Sequence, residues 1–388
     1  MDDLAPRTRT TAPPAPTGTS PGPRRPHARV ARGRPRTPGL LGAAALLLLS
    51  VAAAPAAAGS ARGEPVVVAE DLVGPLSLEV SRRGDVVVAQ SFAGLLTTVD
   101  RTGRRTDLPL HPGEEAAGLS TTGAGVLLTH SAGEGPDAVA LLERRDRRGR
   151  VDVVADLAAH ERATNVDGGT TYGLRDTSRS CLDQLPDGFP GRYTGEVYSH
   201  PYATAPLGGG RTVVADAGGN ALLAVDARGR VRTLAVLPAQ PAVLTADLVA
   251  ENGLPACTVG QTYWFEPVPT DVEVGPGSDL YVSLLPGGPE DPSLGARGSV
   301  VRVDPRTGAV RTVLDGLLGA TGVAVGDDGT VYAAELFGGR VVALDAGAHE
   351  RRTVLEADLP AAVEVSGGRL YVTTQVLGPQ GQVVRVDL

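Results

Sequence analysis

The sequence predicts an all-β protein, a six-bladed β-propeller of four-stranded antiparallel blades, and three observations carry that expectation. The first is a recurring turn, in which an apolar residue is followed by Asp, a short spacer and Gly. It falls at Val99-Asp100, Asp146, Val225-Asp226, Val303-Asp304 and Leu344-Asp345, and the chain ends on Val386-Asp387-Leu388. Successive aspartates lie 46, 80, 78, 41 and 42 residues apart, which is a steady period broken by two long insertions. The second is a series of Gly and Asp turns in phase with the first: Gly84-Asp85, Gly123-Ala124-Gly125, Gly208-Gly209-Gly210, Gly277-Ser278-Asp279, Asp328-Gly329 and Gly367-Gly368. The third is the unit between the turns. Residues 310–345 hold four short β-branched runs, with the hairpin signal Gly326-Asp327-Asp328-Gly329 between the second and third. So small a sheet cannot bury both faces alone, and radial stacking of like sheets solves that problem.

Residues 1–39 form an Arg/Pro-rich leader with eight arginines and only Asp2 and Asp3 as acids, a composition that packs no core. Residues 40–61 begin with the apolar run LLGAAALLLLSVAAA and continue in small residues, the pattern of a secretory signal with a cleavage region. The expected localisation is therefore secreted, with no membrane attachment after cleavage. From Pro65 onward the chain keeps 27 arginines, no lysine and 41 acids, a formal net charge of −14. That acidity argues against nucleic acid as a partner. A monomer is expected.

The propeller is assigned to residues 65–388. Pro65–Glu70 is an orphan strand before the first full repeat, and the last repeat stops after a third strand, Gln382–Asp387. Pairing the two would remove an open sheet edge and close the ring. The first insertion, 156–199, opens with a helical turn over Asp156–Arg162 and continues as Gly-, Asp- and Pro-rich loop containing Cys181. The second, 237–268, carries a short helix over Thr245–Asn252, then Cys257 and the lone Trp264. Blade four has a long connection, Leu285–Gly298, while blades five and six are compact.

Loop lengths point to one functional face. In a four-strand meander the second-to-third and blade-to-blade connections share a side of the ring, and both insertions and the Leu285–Gly298 loop are of that kind. Binding residues concentrate on irregular loops held by a rigid scaffold, although long loops can also merely cap a ring. Gln90, His130, Asp216, Leu284, Glu335 and Thr374 align at the ends of the second strands on that side. His200 stands at the mouth of blade three, and Asp271 lies on the inner strand of blade four. Of these, Gln90, His130, His200, Asp216, Asp271 and Glu335 are the ligand-binding candidates.

The inner strands place Glu79, Asp271, Glu273 and Glu364 on the parity that faces the axis. Crowded carboxylates suit a hard divalent cation such as calcium, which takes oxygen ligands; the alternative is a water-filled tunnel with solvated acids. Cys181 and Cys257 lie one in each insertion, and an oxidising compartment would let them staple the two together. The chain contains no GxSxG, HExxH, P-loop or GxGxxG signature, so catalysis has no positive support and no catalytic residue is assigned.

Several runs carry a family resemblance: VADAGGNALL at 214–223, NGLPAC at 252–257, FEPVPTDVEV at 265–274, LPGGPEDP at 285–292 and AELFGG at 334–339. Over about residues 202–346 the chain resembles the ScyD/ScyE family of exported bacterial propellers with NHL- and TolB-like repeats. The resemblance implies the fold and export, and no settled activity. Two expectations follow. One is a non-catalytic scaffold that binds a small molecule, polymer or protein on the long-loop face. The other is a metal-dependent hydrolase similar to gluconolactonases, with a divalent cation held in the channel.

Overall fold

The computed structural model describes residues 63–388 apart from Ala124, Glu290 and Asp291. The leader and the export signal expected from the sequence lie outside the described residues. The protein is all-β, with seven four-stranded antiparallel sheets where the sequence predicts six. Five are meanders in chain order, beginning at Pro75–Val80, Glu115–Thr122, Pro201–Gly208, Pro269–Val274 and Ala320–Val325. A sixth joins the two ends of the described chain. Its strands Val363–Ser366, Arg369–Thr374 and Gly381–Asp387 are completed by Val66–Leu72, with Val66 opposite Arg385 and Leu72 opposite Gly381.

The first strands of these six sheets touch one another in cyclic order, the sixth against the first. Each seam has its own apolar filling. Val87, Leu96 and Leu119 lie between the first and second sheets, and Val214, Leu223 and Leu142 between the second and third. The following seams are filled around Val272 and Leu222, then Val300 and Val323, then Val341 and Val372, then Leu72 and Val88. Burying one Val or Leu is worth ~1.5–3 kcal/mol, so a chain poor in aromatics holds its seams by many small contributions. The inner strands approach closely enough to demand glycine: a Cβ on Gly322 would sit 2.2 Å from the Ala361 carbonyl oxygen.

The seventh sheet corrects the reading of the insertions as loop with a little helix. Arg192–Thr194 and Thr171–Gly173 from the first insertion pair with Thr262–Phe265 and Gln240–Val243 from the second. Its strands are rich in Thr, Tyr, Trp and Phe, residues that suit a pleated half-buried surface. Leu174, Leu244, Val249, Leu254 and Tyr263 form its core. The two expected helices are present. Leu157–Thr164 is capped by Asp156, which accepts the Ala159 N–H, and Ala246–Glu251 by Thr245, which accepts that of Leu248.

Cys181 and Cys257 are disulfide-bonded, with Cα atoms 6.0 Å apart, and tie the insertions together across 76 residues of sequence. A pair of serines in their place (Cys181→Ser with Cys257→Ser) is expected to cost about 2–4 kcal/mol of stability. Hydrogen exchange should show the loss first in the seventh sheet, because the six seams do not depend on the bond. Uniform loosening of every blade would refute that partition.

Candidate functional site

The seventh sheet is anchored to the turn between the second and third strands of the third sheet. Asn220, in that turn, donates from Nδ2 to Asp167 Oδ2 at 2.9 Å, and its Oδ1 accepts the Val268 N–H at 3.2 Å. Asp167 Oδ2 also accepts the Tyr172 hydroxyl at 2.9 Å, so one turn grips both insertions. Beside it, Asp216 Oδ1 accepts the N–H groups of His200 (2.7 Å) and Gly219 (3.2 Å), while its Oδ2 meets the Ser199 hydroxyl at 2.5 Å. Glu161, on the helix Leu157–Thr164, accepts the Val166 N–H.

Asp167, Asp216 and Glu161 are all buried, and burial lifts each carboxyl above its ordinary value, Glu161 to about 7. The backbone presses on this knot. A Cβ on Gly195 would fall 1.8 Å from Asp167 Oδ1, and one on Gly219 would fall 3.3 Å from Glu161 Oε2. Asp167 and Asp216 therefore fasten the first insertion to the turn of the third sheet, while Glu161 holds the insertion's own backbone.

The aligned residues at the second-strand ends share a structural task. Gln90 Oε1 accepts the Val73 N–H at 2.7 Å, Asp216 that of His200, and Glu335 Oε2 that of Leu318 at 2.9 Å. In each case the donor lies in the connection that enters the same sheet, so the side chain ties the incoming chain to the rim. Gln90 Nε2 further donates to Thr97, and Arg340 Nε donates to Glu335 Oε1 at 3.0 Å. His200 pairs through Nε2 with Glu115 Oε2 at 2.5 Å, and its ring lies 4.7 Å from that of Tyr202. Tyr202, Leu76 and Thr270 line the long-loop end of a central cavity whose wall includes Asp271 and Glu273.

The structure brings Glu79, Asp271, Glu273 and Glu364 together around that axis, where each keeps some access to the lumen. All four carboxyls are held above their ordinary values. Burial among protein atoms is the main cause for each, and the neighbouring acids add to it for Asp271, Glu273 and Glu364. Asp271 is raised to about 7, against two hydrogen bonds that favour its charged form. Those bonds run from Val272 N–H to Oδ1 (2.8 Å), within one strand, and from Val323 N–H to Oδ2 (2.9 Å), which crosses from the fifth sheet to the fourth. Glu79 Oε1 accepts the Thr121 hydroxyl at 2.7 Å, a bond from the second sheet to the first. Asp271 and Glu79 thus stitch neighbouring inner strands, and the ligand atoms of the four acids do not gather in threes within 4.8 Å of one another.

Among the described residues such a gathering occurs at His111, Glu114 and His130. His111 and Glu114 lie in the connection from the first sheet to the second, and His130 on the strand Gly125–Ala132, the rim position aligned with Gln90 and Asp216. The two imidazoles stack at 3.7 Å with 3° between their planes. Buried Glu143, on the strand Val139–Asp146, supports them from beneath. His130 was legible as a candidate in the sequence. His111, Glu114 and Glu143 were missed, although the spacing of His111 and Glu114 on a long-face connection was a usable signal.

No family profile matches the chain, and no curated protein matches it. Solved structures do, and these neighbours are β-propellers. A protein of unknown function from Bacteroides thetaiotaomicron is 12% identical with a TM-score of 0.50, covering 84% of this chain and 74% of that one. The calcium-binding protein regucalcin from Agrobacterium tumefaciens is 14% identical (TM-score 0.48, 86% and 95% covered), and virginiamycin B lyase from Staphylococcus aureus 16% (0.45, 80% and 80%). Likeness at this identity concerns the fold alone.

Proposed function

We propose that the chain is an exported, non-catalytic β-propeller of the ScyD/ScyE type, and that its long-loop face binds a small molecule, a polymer or a partner protein. One observation carries this reading: the two insertions build a disulfide-bonded sheet and fasten it through Asn220 to the rim on that side. A rigid platform is what irregular binding loops require. We take the propeller as six-bladed and closed by the N-terminal strand, with the seventh sheet an appendage. The cyclic contacts of the first strands and the pairing of Val66–Leu72 with Gly381–Asp387 support that view. Export is supported by the disulfide, which oxidising compartments favour. Among the described residues no helix is long and apolar enough to cross a membrane. The acidic chain speaks for a partner other than nucleic acid and for a monomer that stays dispersed.

The competing reading, a channel cation serving hydrolysis, draws on the convergence of Glu79, Asp271, Glu273 and Glu364. It is weakened because Asp271 and Glu79 already accept hydrogen bonds from neighbouring strands. A thermal-shift screen of the purified protein against sugars, carboxylic acids and aromatic compounds, followed by hydrogen exchange on the hits, tests the proposal. Protection is expected in residues 156–199 and 237–268. Lactone hydrolysis that needs an added divalent ion and vanishes in Glu273→Gln would overturn it.

A further inference from the structure

We propose that the short-turn side of the first three sheets is a recognition surface for a linear polymer carrying phosphate groups along its length. The proposal concerns the face opposite the long loops and does not depend on what those loops bind.

The surface is built from the Asp turns that mark the repeat. Three of them read DRTGR at 100–104, DRRGR at 146–150 and DARGR at 226–230, and each joins the third strand of its sheet to the fourth. The same geometry recurs in all three. The Asp Oδ1 accepts the N–H groups of the third and fifth residues of the turn. These are Thr102 and Arg104 (2.8 and 3.0 Å), Arg148 and Arg150 (2.8 and 3.0 Å), and Arg228 and Arg230 (2.8 and 3.1 Å). The fourth residue is a glycine with φ of 83°, 86° and 78° in turn, a conformation that side-chain-bearing residues resist. Each aspartate is thus committed to its own backbone, and the arginines stand on a fixed turn.

A fourth turn, SRRGD at 81–85 in the first sheet, adds Arg82 and Arg83. The four turns together hold nine arginines, all exposed, against four aspartates, on a chain whose residues 65–388 carry a net charge of −14. Arg82, Arg83, Arg101, Arg147, Arg148 and Arg228 make no side-chain hydrogen bond or ion pair among the described residues. The surface has an edge. The corresponding turns of the fourth and fifth sheets, 275–279, 304–309, 326–330 and 345–351, hold two arginines against six acids. On the opposite face the insertions 157–200 and 237–268 hold four against nine. Arginine offers a planar fork that matches phosphate oxygens two at a time. Charges spread over four turns suit a ligand with many linked anions better than a single ion. The turns contain no aromatic residue on which a base could stack and no exposed large apolar side chain to enter a bilayer. Such a surface reads phosphate charge alone, and a protein bound through it turns its acidic long-loop face away from the polymer.

Fluorescently labelled long-chain inorganic polyphosphate is the probe. The purified protein should bind it at about 50 mM salt, lose roughly 100-fold or more in affinity by about 200 mM, and show no binding of orthophosphate at equal phosphate concentration. Arg147→Ser with Arg148→Ser should weaken binding roughly 30-fold at an unchanged melting temperature. Arg101→Ser with Arg228→Ser should cost as much, because one polymer chain spans the sheets. Arg179→Ser with Arg306→Ser removes the same charge from exposed positions outside the surface and should leave binding as it is. Equal weakening in that control, or no binding by the folded wild-type protein, would overturn the proposal. Tighter binding to phosphatidylglycerol vesicles or to single-stranded DNA than to polyphosphate would also overturn it, by assigning the surface to a membrane or to a nucleic acid.

Discussion

Asp216→Ala is expected to cost about 3–5 kcal/mol of stability, because it strands three buried donors at once. Its carboxyl takes the N–H groups of His200 and Gly219 and the hydroxyl of Ser199. The damage spreads beyond one contact. His200 leads into the strand Pro201–Gly208, and Gly219 adjoins Asn220, which grips both insertions. Denaturant unfolding should therefore show a lower midpoint, and hydrogen exchange should show the seventh sheet opening earlier. Asp216→Asn separates the causes. An amide keeps the oxygen facing the two N–H groups, and its nitrogen can donate to the Ser199 hydroxyl. Asn should consequently lose only a fraction of what Ala loses. An Asn variant as unstable as the Ala variant would show that the negative charge matters, and the hydrogen-bond account would fall.

The protein should become less stable as pH rises from 5 to 8, the reverse of what surface ion pairs produce. The sign follows from the tunnel acids. Glu79, Asp271, Glu273 and Glu364 are all held above ordinary carboxyl values, chiefly by burial, with Asp271 at about 7. In the unfolded chain the same groups ionise near ~4. Between those limits the folded state binds more protons than the unfolded state, so stability falls as pH climbs and levels off above the folded values. Glu161 and Glu266, each lifted to about 7 mainly by burial, add to the slope, while His160, held below its usual value by burial, opposes it. Turn aspartates such as Asp100, Asp226 and Asp304 lie below ordinary values, and their contribution is lost only at acid pH, outside this window. Glu273→Gln removes one ionisable group from the lumen. It should raise the melting temperature at pH 8, change it little at pH 5 and flatten the profile between. A profile that is level or rising over that range, or one that Glu273→Gln leaves untouched, would refute the mechanism.

The blades were legible because their determinants are local. The four β-branched runs expected within 310–345 are found as Val310–Leu317, Ala320–Val325, Val331–Glu335 and Arg340–Leu344, since Gly and Asp turns bracket them. The strand Val66–Leu72 was legible through its missing partner. The seventh sheet was not. Thr171–Gly173 and Arg192–Thr194 are too short to show a period, and Gly173 meets Trp264 only because distant insertions come together.

At the site, alignment picked out Gln90, Asp216 and Glu335 but could not show that each spends its acceptor on the entering backbone. The tunnel acids were visible by parity, whereas the bonds to Val323 and Thr121 that engage Asp271 and Glu79 come from neighbouring sheets. The histidine cluster draws on a connection and two strands, so only its rim member stood out.

The bond between Cys181 and Cys257 has a topological side. The segment it encloses holds all four strands of the third sheet, from Pro201–Gly208 to Val231–Val236. A protease that nicks any exposed turn within this covalent lasso opens the ring of chain without severing the molecule. Both fragments stay tethered until a reductant frees them, so in an oxidising medium the third sheet is a part of the propeller that a single cut cannot detach.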